Sequence, residues 1–166
     1  AGGHLAAACG TISGFDEPNE DASISSRPNA MLLFNPAVVL APVDGLDLDE
    51  QRLATLSERM GTNPRELSPY HHIAPGTPPT AIFHGKADAV VPYATVEAFA
   101  NAMKGAGNTC ELFGYEDQGH GFFNYGRARN AMFVATLKEA DKFLARLGYL
   151  QGEPTLQAPL PNLGEL

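Results

Sequence analysis

Three short apolar runs, Ala30-Met31-Leu32-Leu33-Phe34, Thr80-Ala81-Ile82-Phe83-His84 and Thr109-Cys110-Glu111-Leu112-Phe113, are separated by long stretches with helical periodicity. No other feature limits the fold as much. The first two runs lack polar alternation, which marks strands buried on both faces, and such strands belong to parallel sheets covered by helices. Parallel neighbours need a crossover, usually a helix. The pattern predicts one over Asp49–Met60, with Leu53, Leu56 and Met60 sharing a face and Gly61 as the stop. It predicts another over Pro92–Lys104, where Val96, Phe99, Ala100 and Met103 line up before Gly105 and Gly107. A last helix over Ala128–Leu147 sets Phe133, Leu137, Ala140, Leu144 and Leu147 opposite Lys138, Glu139, Asp141, Lys142 and Arg146. The Leu- and Ala-rich Gly3–Gly10 segment predicts a buried helix with small residues for close packing. The expected class is α/β, with a mostly parallel sheet joined by right-handed crossovers.

At 166 residues the chain is long enough for one core and short for two. Its net charge of −8, with 11 scattered Lys and Arg, argues against nucleic-acid or anionic-membrane partners and favours small-molecule chemistry. No apolar run approaches the ~20 residues of a membrane-spanning helix. Cys9 and Cys110 are too far apart in sequence to form a redox or zinc pair and are expected to be two buried thiols. From Gln151 onward, Pro154, Pro159, Pro161 and Gly164 break any periodicity, so 151–166 is expected to be a tail or linker. The chain opens on Ala1 without a polar lead-in, as if cut within an element, and its compartment is open.

In parallel sheets, sites form at the carboxyl ends of strands. Asp88 follows the second run and His120 the third, so both are expected on one rim, within reach of one another because neighbouring strands lie ~4.8 Å apart. His120 stands between Gly119 and Gly121, which allow a sharp turn and keep bulk from the imidazole. That suits a catalytic base, though a plain turn histidine fits the same residues. His71 and His72 are adjacent and so point apart, with no third ligand at usable spacing for a metal. Asp44, Asp47, Asp49 and Glu50 read as a solvated loop and helix start. His84 is expected to hydrogen-bond nearby loop backbone, and His4 to pack or hydrogen-bond beneath the turn that starts the first helix. Phe122, Phe123 and Tyr125 fit either an acyl pocket or core packing.

Three motifs, Ala1-Gly2-Gly3-His4-Leu5-Ala6, His84-Gly85-Lys86-Ala87-Asp88-Ala89-Val90-Val91-Pro92 and Gly119-His120-Gly121-Phe122, occur in this order. In this the chain resembles the α/β-hydrolase superfamily, in particular its carboxylesterase and acetyl-esterase-like branch, whose nucleophile elbow reads G-x-S-x-G and whose triad runs Ser, Asp, His. The resemblance covers Ala1 to about Leu150 and corresponds to the C-terminal half of that three-layer fold, with a cap-like insertion at about 38–75. It implies that Asp88 is the triad acid, His120 the base and Ala1 an oxyanion-hole amide, with the serine one residue before Ala1.

The implied chemistry is two-step acyl transfer on a small ester, short acyl or carbohydrate-linked, without cofactor or metal. The 166 residues alone would then be inert. They would also leave an open apolar edge at Ala30–Phe34, prone to self-association. Two rival readings remain: a prolyl-oligopeptidase-type serine peptidase, which shares domain and triad order, and a non-catalytic binding protein that keeps the hydrolase fold.

Overall fold

A computed structural model describes residues 1–157 except Ala22, and the side chains of all of these but Glu50 and Arg52. The tail predicted over 151–166 therefore lies partly outside the described residues.

All three runs form strands: β1 (Met31–Phe34), β2 (Thr80–Gly85) and β3 (Cys110–Tyr115). They pair in chain order and in parallel, with Phe34 beside Phe83 and Phe83 beside Phe113. Four α-helices accompany them: α1 (Gly2–Thr11), α2 (Glu50–Met60), α3 (Tyr93–Gly105) and α4 (Ala131–Arg146).

Successive strand residues face opposite sides of a sheet, and here the two sides build two cores. On one side Met31, Leu33, Ile82 and Cys110 pack with Ala7 of α1 and with Val96, Phe99, Ala100 and Met103 of α3. On the other, Leu32, Phe34, Ala81, Phe83, Phe113 and Tyr115 meet Ala140, Phe143, Leu144 and Leu147 at α4. The result is three layers. The rings of Phe34, Phe83 and Phe113 form a ladder across the strands, with centroids 4.7 and 5.1 Å apart.

Small residues seat α1 on β1. Gly3, Ala7 and Gly10 share one helix face; a Cβ on Gly3 would stand 2.9 Å from Pro36 Cα, and one on Gly10 would stand against the Met31 thioether. The opposite face is open, with Leu5 exposed, so α1 is a half-exposed helix and not the buried one expected. Composition misleads here because Ala suits either environment.

Other expectations need the same correction. Cys110 is buried, but Cys9 is exposed because it lies on the outer face of α1. Strand β1 is fully buried on the α1 side only, since Leu32 and Phe34 on the α4 side are half-buried. Helix α4 starts at Ala131 because Ala128, Arg129 and Asn130 all take positive φ, which a right-handed helix excludes. Its most buried residues are Val134, Thr136, Ala140 and Phe143, while Leu137, Leu144 and Leu147 are half-buried.

After β1 the chain stays in the core before it reaches α2. Val38–Ala41 are buried, and the buried Ser68 ties this segment down by accepting the Leu40 N–H on its Oγ at 3.0 Å. Two 3-10 turns, Pro64–Leu67 and Pro69–His72, then lead back toward β2. Among the described residues no helix is long and apolar enough to cross a membrane.

Candidate active site

Strand β2 ends in Gly85, and the absence of a side chain there lets two loops touch. A Cβ at this position would overlap the carbonyl oxygen of Gln118. The Ala87 N–H donates to that same oxygen at 3.0 Å, so the loops after β2 and β3 are in contact. Asp88 leaves the first loop and His120 the second, and Asp88 Oδ2 lies 2.8 Å from His120 Nδ1. At this distance Nδ1–H donates to the carboxylate, leaving Nε2 free of that bond. Gly121 takes a φ of +73° on the far side of the histidine, a turn that favours glycine.

The Asp88 carboxylate is buried and well held. Its Oδ1 accepts the Val90 and Val91 amides at 2.8 and 2.9 Å, an arrangement set by the turn into α3. Its Oδ2 accepts His120 and also Asn35 Nδ2, the latter at 2.6 Å. Burial pushes the Asp88 carboxyl up, but the bonds from Val91, His120 and Val90 outweigh it and hold it below its ordinary value. Asp88 is therefore ionised at neutral pH while nearly out of water.

Two further side chains reach this carboxylate, and local pattern points to neither contact. In sequence Asn35 only ends β1 together with Pro36; in the fold it is buried, takes a φ of +43°, and turns its amide onto Asp88. His84 donates to the Val91 carbonyl as a backbone-binding histidine should, at 2.8 Å, yet its Nε2 is also 3.3 Å from Asp88 Oδ2. Burial pulls the His84 imidazole below its ordinary 6.5, against the opposing effects of the Val91 carbonyl and Asp88. Alternation alone cannot show such contacts, which join residues 53 positions apart in the case of Asn35 and Asp88.

The remaining candidates sort by their partners. Ala1 precedes α1, and its carbonyl accepts the Leu5 amide. Because Gly3 abuts Pro36 and the Phe34 carbonyl, the start of α1 lies at the same strand ends as Asn35. His4 bonds the Leu67 carbonyl at 2.7 Å. His71 pairs with Ser68 Oγ and His72 with the Arg65 carbonyl, so the two rings serve different neighbours. Phe122 packs on Tyr115, Phe123 on Phe34 and Tyr125 on Phe133. Arg127 reaches back to the His120 carbonyl at 3.5 Å. An apolar cavity of about 120 Å³ lies between α2 and the start of α3, lined by Ala37, Val39, Leu53, Leu56, Val91 and Pro92.

A parallel sheet between helix layers, with an acid and a histidine on adjacent strand ends, defines the α/β-hydrolase class. Residues 40–147 match the prolyl oligopeptidase family, and the chain belongs to that family of serine hydrolases. Among solved structures it is similar to esterase 2 of Thermogutta terrifontis phosphonylated by sarin, at 46% identity and a TM-score of 0.86 over 92% of this chain and 56% of that one. It is likewise similar to the propionate-bound form of that esterase, at 49% identity and a TM-score of 0.81 over 92% and 55% of the two chains. The chain thus spans just over half the length of these esterases. No curated protein sequence matches it.

Proposed function

We propose that these residues are the acid-and-base half of a carboxylesterase site, with Asp88 and His120 completing a triad whose serine directly precedes Ala1 in the full polypeptide. The observation that carries this reading is the 2.8 Å contact between Asp88 Oδ2 and His120 Nδ1. Asp88 holds the Nδ1–H tautomer, so His120 Nε2 takes the serine proton during attack and returns it to the leaving alcohol. Asp88 also stabilises the imidazolium formed in between. The Ala1 amide, at the start of α1, serves as an oxyanion donor; losing one such donor typically costs ~3 kcal/mol of barrier.

Short acyl esters are the substrate class. The similar esterase has been seen with propionate and with butyrate bound, and the apolar cavity beside Val91 offers about 120 Å³ to a small chain. Family membership favours, as a second reading, a peptidase cutting after proline.

The test is hydrolysis by the full-length polypeptide of p-nitrophenyl esters from acetyl to decanoyl, alongside a prolyl amide. Hydrolysis of the short esters, abolished when the residue before Ala1 is changed to alanine, is expected. Turnover of the prolyl amide alone would establish the peptidase, and turnover of neither would leave a binding protein on a hydrolase fold.

A further inference from the structure

The geometry points to Asn35 as a positioning residue that holds the Asp88 carboxylate in line with His120 from the β1 side. This rests on the esterase reading of the pair, but its structural basis is independent of any substrate.

The amide is aimed, not incidental. Asn35 is 6% exposed, its N–H donates to the Phe83 carbonyl at 3.0 Å, and its φ of +43° turns the side chain inward just past the end of β1. A non-glycine residue in that region is uncommon, and Asn is among the few that tolerate it. Nδ2 stands 2.6 Å from Asp88 Oδ2, a distance that requires the amide nitrogen, not its oxygen, to face the carboxylate. Among the described residues the opposite atom, Oδ1, is buried without a partner. An isolated buried carbonyl costs stability, so the side chain is oriented by Asp88 and not by its own needs.

Oδ2 has two lone pairs, and Asn35 and His120 use both. His84 gives its Nε2 proton to the nearer Val91 carbonyl at 2.8 Å, with Asp88 Oδ2 3.3 Å away as the longer contact. Asn35 Nδ2 also lies 3.3 Å from His120 Nδ1. Both atoms carry hydrogen when Nδ1–H points at Asp88, so the amide cannot replace the carboxylate as its acceptor. Among the described residues the charged or titratable groups at this amide are Asp88, His120 and, through Asp88, His84, with Arg127 at the His120 carbonyl. Asn35 supplies a donor to this group without adding charge.

Two variants of the full-length polypeptide test the assignment. Asn35→Gly removes the amide while accepting the positive φ; Asn35→Asp keeps the shape and reverses the donor. For Asn35→Gly, kcat is expected to fall on the order of tenfold with KM little changed, since the buried Asn35 side chain faces Asp88. The Hδ1 proton resonance of His120 should move with it. In Asn35→Asp a second carboxylate favours the imidazolium, so the acid limb of the kcat/KM profile should move to higher pH. Wild-type kcat in Asn35→Gly, together with an unmoved limb and an unmoved Hδ1 resonance in both variants, would overturn the assignment. If the full-length protein hydrolyses no ester, the esterase reading falls, and the Hδ1 resonance alone still decides the role of Asn35.

Discussion

Gly85 and Gln118 approach so closely that no other residue fits at position 85: a Cβ would overlap the Gln118 carbonyl oxygen. This contact closes the β2 and β3 loops on each other and brings Asp88 to His120.

It makes Gly85→Ala a severe change for one methyl group. The loops must part, because the obstacle is backbone and cannot rotate away. A loss of roughly 1–3 kcal/mol of stability is expected, measured by urea denaturation of the full-length polypeptide, together with a fall in the proposed esterase activity beyond what stability alone would explain. Wild-type activity in this variant would show that the loop contact does not position the pair.

Asp88→Asn keeps the size but exchanges an oxygen acceptor for an amide. His120 then loses the partner that selects its Nδ1–H tautomer. By analogy with the serine protease triad, kcat is expected to fall by about 10⁴ with KM nearly constant. Single-turnover kinetics of the full-length variant would check it; a drop of less than tenfold would remove Asp88 from the acid role.

Acid should destabilise the protein in two stages. His84 is depressed below 6.5, so the unfolded state binds a proton first, and stability begins to fall as pH drops below about that value. Asp88 is depressed below 3.8, so its contribution is full above that pH and is lost as pH falls through its lower folded value. Denaturant midpoints between pH 7 and pH 3 would show both slopes. His71 is also pulled below 6.5 by burial and shares the upper stage, so His84→Gln should reduce that stage and leave the lower one; an unchanged slope between about pH 6.5 and pH 5 would assign it to His71.

Glycines in helices should behave in opposite ways. Gly3→Ala drives a methyl into Pro36 and the Phe34 carbonyl, and a loss of about 1–2 kcal/mol is expected despite better helix propensity. Gly105→Ala, at the end of α3 with nothing within 4 Å, should gain roughly 0.5 kcal/mol. Thermal melts of the two variants decide; equal effects would show that α1 does not sit tightly on β1.

Strand β1 pairs only with β2 among the described residues. An unpaired edge invites another chain, so the 166-residue polypeptide is expected to self-associate with rising concentration. Sedimentation equilibrium showing a single monomer mass up to high concentration would refute this.

Much of the architecture is legible in the residues themselves. Ala30–Phe34 and Thr80–His84 announce strands because nearly continuous apolar runs between helical periods have few other uses, and Thr109–Phe113 follows them despite its Glu111. Gly61 and Gly107 mark helix ends close to where α2 and α3 stop. Asp88 and His120 can be proposed together because parallel strands deliver their loops to one rim, and motif order adds the chemistry. Local pattern fails where exposure depends on neighbours: composition puts α1 inside, whereas it stands half outside and takes Cys9 with it.

Which atoms meet is settled by packing instead. Asn35 lies 53 residues from Asp88, and nothing in Asn35-Pro36 as a strand terminator distinguishes an amide facing solvent from one bonded to a buried carboxylate. The pairing register sets that choice, placing Phe34 beside Phe83 so that the next residue after β1 reaches over the end of β2. Sequence determines the elements through short-range sterics and apolar periodicity. The site depends on side chains separated by tens of residues, and their contact is a property of the packed sheet.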